Sequence, residues 1–141
     1  MYRNIVTAYD GSQGAKAALG RAAELASRDG ASLTLVEAVS GKVPSLAPGG
    51  PPLPKPEKRA MAREDLDEAL THVDPELLAS GWVIGGPPGS GILTVADDIG
   101  ADLIVTGSRS RGPITRTILG SVSTQILHGA RCDVLVVHPP D

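Results

Sequence analysis

Short runs dominated by β-branched and aliphatic residues alternate along the chain with longer stretches in which apolar residues recur every three or four positions. Asn4-Ile-Val-Thr-Ala-Tyr9 is the first run, and it ends at the turn-forming Asp10-Gly11-Ser12, so it reads as a strand. Ala15, Ala18, Leu19, Ala22 and Ala26 then share one helical face, with Lys16, Arg21 and Glu24 between them and Gly30 as a C-terminal stop. A second strand spans Leu33 to Val39, and Trp82-Val-Ile84 marks the middle of a third. Between these two, Leu66, Ala69, Leu70 and Val73 form the apolar face of a helix whose other side carries Arg63, Glu64, Asp67 and Glu68. Ser90 is placed to cap a helix bearing Ile92, Val95, Ala96 and Ile99 and closed by Gly100. Leu103-Ile-Val-Thr106 is strand four, a helix with Val122, Ile126 and Leu127 follows, and Val134-Leu-Val-Val137 is strand five.

The resulting order is βαβαβαβαβ. Near-continuous apolar strands separated by helices predict an α/β domain with a parallel sheet covered on both faces. The stretch 40–58 breaks the rhythm with six prolines and the pair Gly49-Gly50, and reads as a Pro/Gly-rich mobile loop. Its Pro51-Pro-Leu-Pro54 also has the spacing of a polyproline ligand. No internal repeat is visible, and 141 residues fit a single domain over 1–141.

Composition narrows the chemistry. With no Phe, one Trp and two Tyr, the core has to be filled by aliphatic side chains. Thirteen Lys and Arg against sixteen Asp and Glu give a formal charge of −3, which disfavours nucleic acid and anionic membranes as partners. No apolar run approaches the roughly 18 residues that span a bilayer. The start MYRNIVTAYDG lacks the regions of a signal peptide, and Cys132 has no second cysteine to pair with; both point to the cytoplasm. Cys132 beside an apolar strand reads as a small buried hydrophobe. His72, His128 and His138 are too scattered for a metal motif, and neither G-x4-G-K-[S/T] nor G-x-G-x-x-G occurs.

Two strand ends hold the candidate chemistry, because ligands of doubly wound sheets bind beyond the carboxyl ends of the strands where the strand order reverses. Strand one delivers Asp10-Gly11-Ser12. Strand four delivers Gly107-Ser-Arg-Ser-Arg-Gly112, followed by Gly120-Ser-Val-Ser123 at the start of the last helix. Gly107 and Gly120 let backbone approach phosphate, and free amides at a helix start favour an anion. Ser121 and Ser123 offer hydroxyls, Arg109, Arg111 and Arg116 concentrate positive charge, and Asp10 offers acceptors to a ribose or to a phosphate-bound metal. Asp10 and Ser121 are equally the residue types of ordinary helix caps.

Gly107-x2-Ser110-x9-Gly120-Ser121 resembles the G-x2-G-x9-G-[S/T] motif of the universal stress protein family. Ile5-Val-Thr-Ala-Tyr-Asp-Gly-Ser12, Ala101-Asp-Leu-Ile-Val-Thr-Gly107 and Cys132-Asp-Val-Leu-Val-Val137 extend the resemblance over most of the chain. It implies a Rossmann-like five-stranded parallel sheet of order 3-2-1-4-5 and, in the ATP-binding branch, a nucleotide across strands one and four with Mg2+ or Mn2+. By the same resemblance Asp10 matches the ribose- or metal-linked aspartate and Ala38 the position beside the adenine. Gly107, Arg109, Ser110, Gly120, Ser121, Val122 and Ser123 match the phosphate-binding segment. Ser110 departs from the motif's second glycine, and its Cβ crowds a position where the family has none. The implied function is an ATP-binding stress-response regulator. A slow metal-dependent ATP hydrolase using Asp10 ranks lower, because no general base adjoins the phosphate loop in sequence, and a dimeric interaction module without nucleotide is the third reading. Strand five, an exposed apolar edge in that strand order, is expected to pair with its copy in a homodimer ending at Pro139-Pro140.

Overall fold

The computed structural model of the chain describes residues 1–39, 55–108 and 119–140. Within them, strands and helices alternate: β1 (Asn4–Ala8), α1 (Gln13–Asp29), β2 (Ser32–Val39), α2 (Pro56–Thr71), β3 (Ala79–Gly85), α3 (Pro88–Ile99), β4 (Leu103–Gly107), α4 (Ser121–Gly129) and β5 (Asp133–Val137). All four strand pairings are parallel and the sheet order is β3-β2-β1-β4-β5. This is the Rossmann-like, doubly wound arrangement expected from the alternation of patterns.

Alternation of side chains along the strands builds two aliphatic cores, one on each face. Ile5, Leu33, Leu35, Leu103 and Val105 point to the face covered by α1 and α2, where Ala18, Ala22, Ala26 and Leu66 meet them. Val6, Val36 and Ile104 point the other way, against Ile92, Val95 and Ala96 of α3 and Ile126 of α4. Most of these side chains are fully buried. A strand buried on both faces has no polar side to show, which is why β1, β2 and β4 read as apolar runs rather than as alternating ones. Among the described residues, no helix is long and apolar enough to cross a membrane.

Helix α1 is capped at both ends by its own sequence. The Ser12 hydroxyl accepts from the Ala15 N–H at 3.2 Å, and Gly30 closes the helix in the left-handed region at φ 68°. Its alanines allow close approach to the sheet, and at one point backbone meets backbone. A Cβ added to Gly107, the last residue of β4, would lie 2.7 Å from the Gly14 carbonyl carbon.

Several boundaries differ from the sequence expectation, each for a local reason. Helix α3 is not capped by Ser90. It starts at Pro88 after an extended Pro87, because proline has its φ preset for the first turn and lacks only an N–H that would be unpaired there. The Ser90 hydroxyl instead reaches the Pro87 carbonyl at 3.4 Å. Helix α2 likewise begins at Pro56, so residues 56–58 are helical where an irregular loop over 40–58 was expected; residues 40–54, including the Pro51–Pro54 motif, lie outside the described residues. Strand β1 stops at Ala8, although the Tyr9 N–H still donates to the Val36 carbonyl at 2.9 Å.

The Gly107–Gly14 contact generates a prediction. Gly107→Ala forces α1 away from β4 and should lower stability by about 1–3 kcal/mol, the usual cost of overpacking. Urea denaturation of the variant should show a lower midpoint with an unchanged slope.

Candidate functional site

The carboxyl ends of β1, β2 and β4 open into a cavity of about 250 Å3 on the α3/α4 side of the sheet. Reversal of strand order creates it. From β1 the chain crosses over one face towards β2, and β4 lies on the other flank of β1, so their ends diverge and leave a crevice between them. Asp10 and Ser12 form one rim with the end of β1, and Thr106 and Gly107 come from β4. Val36 and Ala38 of β2, with Pro88 and Ile92 of α3, make an apolar wall. Gly120, Val122 and Ser123 bring the start of α4 to the other rim.

That helix start borders the cavity. Its N-cap is Gly120, which has no side chain to cap the first-turn amides, and the start of a helix carries partial positive charge. The Ser123 hydroxyl is turned inward and donates to the Gly120 carbonyl at 2.9 Å. It braces the turn at the cavity rim. The Gly120 N–H is held by the Ser108 carbonyl at 2.7 Å, and the Ser108 N–H by Val137 at 2.9 Å. The rim is thereby fastened to the ends of β4 and β5. Beside it, the buried Ser108 hydroxyl has no hydrogen-bond partner among the described residues.

Asp10 plays a double part. Its Oδ1 accepts from the Ser12 N–H at 2.9 Å, closing an Asx turn over Gly11, whose φ of 78° suits glycine. The cap of α1 is therefore Ser12, not Asp10. Among the described residues the second carboxylate oxygen of Asp10 has no partner and is left for a hydroxyl or a cation. Among the described residues no group of three His, Cys, Asp or Glu is placed to hold a metal, so a cation here would take most of its ligands from a bound phosphate chain or from water.

Six of the residues singled out in the sequence, Asp10, Ala38, Gly107, Gly120, Val122 and Ser123, line this one cavity. Ser121 opens α4 outside the lining. Arg109 and Ser110, with Arg111 and Arg116, lie outside the described residues. Sequence reasoning passed over the wall itself: Val36, Pro88, Ile92 and Thr106. Their positions at strand ends and in the first turns of α3 were the available signal. It also passed over Tyr9, which borders the cavity and is 8% exposed. Burial, followed by the nearby Asp65, Glu37, Glu68 and Asp10 carboxylates, raises its phenol above the ordinary range, so the hydroxyl stays protonated at neutral pH. Cys132 lies apart, half-buried against the α3/α4 core, and burial raises its thiol as well.

A family model described as the universal stress protein family matches residues 1–138. The chain belongs to the universal stress protein family. A universal stress protein of Staphylococcus aureus (strain USA300) is 33% identical over 139 residues, covering 96% of this chain and 84% of its own length. A universal stress protein in complex with cAMP superposes with a TM-score of 0.70 at 27% identity, over 99% of this chain and 98% of the other. One from Archaeoglobus fulgidus in complex with dAMP gives a TM-score of 0.72 at 25% identity, over 96% and 97%.

The two tasks of Asp10 can be separated. Asp10→Ala removes the acceptor of the Ser12 N–H and should cost about 1 kcal/mol, whereas Asp10→Asn keeps a carbonyl oxygen in place and should leave stability within about 0.5 kcal/mol of the parent. Chemical denaturation of both variants measures the difference.

Proposed function

We propose that this universal stress protein binds ATP with Mg2+ or Mn2+ in the cavity between β1 and β4, and acts in the cytoplasm as a stress-response regulator whose conformation or partner depends on occupancy. The observation that carries the reading is convergence: four separate chain segments bring Asp10, Ala38, Gly107 and the Gly120–Ser123 turn to one crevice. Two relatives of the same fold hold adenine nucleotides, cAMP in one and dAMP in the other.

The residues divide the work by polarity. Val36, Ala38 and Ile92 offer an apolar wall suited to a purine, with backbone at the end of β2 available to its edge. The uncapped amides at the start of α4 suit phosphate oxygens, and the free oxygen of Asp10 suits a ribose hydroxyl or a phosphate-bound cation. By its family resemblance the segment from Gly107 to Ser121, including Arg109 and Ser110, belongs to the same phosphate site. A divalent ion, when bound, would neutralise phosphate charge beside Asp10. The described wall offers Asp10 as its only carboxylate and a phenol that stays protonated. That favours a binder over a hydrolase, which needs a base to activate water.

Calorimetry with ATP and Mg2+ tests the binding, and saturable heat is expected. Its absence at millimolar ATP in folded protein, at two temperatures, would sink the reading. Gly120→Val should abolish binding by occupying the space of the phosphates. Gly120 has φ −64°, which valine also adopts, and because the position is buried the melting temperature of the variant is measured alongside, a loss of binding in folded protein being the expected outcome. Asp10→Asn should weaken binding with metal more than binding without it.

A homodimer through β5 is part of the same proposal. Strand β5 pairs with β4 on one side only, and Val134 to Val137 are half-buried rather than covered. Antiparallel pairing of two such edges about a two-fold axis would satisfy the free backbone groups. Val136→Lys should then shift light scattering from dimer to monomer at micromolar protein; a parent protein that is already monomeric there rules out the interface.

A further inference from the structure

Strand β3 closes one end of the sheet. Among the described residues its strand partner is β2 alone, and the hydrogen bonds between the two fix which backbone groups are left over. The Leu33 N–H donates to the Leu78 carbonyl and the Gly86 N–H donates to Val39, so the even-numbered residues turn towards β2. The N–H and C=O groups of Ala79, Gly81, Val83 and Gly85 therefore point outward along the edge.

An edge of this kind is a template for another strand, and proteins blunt it with lysine, proline or inward-pointing charge. The sequence ASGWVIG contains none of these. Leu78 and Trp82 beside the edge are 79% and 41% exposed. Two copies laid antiparallel about a two-fold axis would set donors against acceptors and bring no like charges together, so the edge is complementary to itself.

One side chain stands in the way. Arg63 of α2 reaches over the edge, and its Nη1 donates to the outward Gly81 carbonyl at 2.7 Å. Its Nε and Nη2 both donate to Asp67 Oδ1, at 3.2 and 3.0 Å, which holds the guanidinium in place. Gly81 makes the approach possible, since a Cβ there would lie 2.8 Å from Nη2 and 3.1 Å from the Leu66 Cβ. Its φ is not positive, so the backbone itself does not require glycine. The side chains of the Arg63–Asp67 pair are 43% and 65% exposed, and a pair so open to water adds little to folding stability. What it does achieve is a blocked edge.

We propose that Arg63 is an edge guard: by holding the outward Gly81 carbonyl and setting a charge over the strand, it keeps β3 from pairing with β3 of a second copy. The guard acts at the opposite end of the sheet from β5, and depends neither on nucleotide nor on the β5 interface. Where β5 edges pair, an unguarded β3 would extend the joined sheet at both ends into an open polymer.

The test is the variant Arg63→Gln, which stays polar but loses the charge and the fork, followed by light scattering and fluorescence from micromolar to millimolar protein. Trp82 is the only tryptophan of the chain, so its emission reports on this edge. The variant should reach at least about twice the parent's mass at the same concentration, with Trp82 emission moving to the blue and the melting temperature near the parent's. Asp67→Ala, at an exposed helix position, releases the guanidinium and should gain mass at higher concentration; it decides alone if Arg63→Gln does not fold. Ser80→Lys, at an exposed position of β3, should return Arg63→Gln to the parent's mass. The parent's mass throughout the series in the folded variants, a gain in mass without a shift of Trp82 emission, or a gain that survives Ser80→Lys would each overturn the proposal.

Discussion

Burial of β1 on both faces is the constraint from which the architecture follows. Ile5 and Val6 are both at 0% exposure and point in opposite directions, so neither face of the strand can be left to water. Two helical layers are needed, and a chain of right-handed crossovers supplies them only by building outward from β1 in both directions. The first pair of helices covers one face and the second pair the other. The crevice at the carboxyl end of β1 is the residue of that reversal, and it exists before any particular side chain is placed in it.

The fold was legible because its signals are redundant. Each of β1, β2 and β4 is a run in which aliphatic and β-branched residues predominate, and α1 announces itself through alanine spacing, a serine cap and a terminal glycine. β3 was legible only at its centre. It spans Ala79–Gly85 and contains Gly81, a residue depleted in strands; the glycine is there because a Cβ would lie 2.8 Å from Arg63 and 3.1 Å from Leu66 of α2. Tertiary packing chose it over strand propensity. The start of α3 was misread for a related reason: Ser90 is a good cap by type, but Pro88 two residues earlier was the stronger start.

For the candidate site, the polar and glycine residues were visible through motif spacing, while the apolar wall was not. Val36 and Ile92 are ordinary core residues by type, and nothing in sequence separates a valine that faces a cavity from one that faces a helix. The same limit hid Tyr9, whose place at the end of β1 puts its ring in one core and its edge beside the cavity. Ser123 lines the cavity as expected, and its hydroxyl, three residues into the helix, also bonds the carbonyl behind it.

Where α1 crosses the end of β4, glycine touches glycine and no side chain intervenes. The spacing of β4 and α1 behind the rim that bears Asp10 is thus set by backbone against backbone, with no side chain there whose exchange could widen or narrow it.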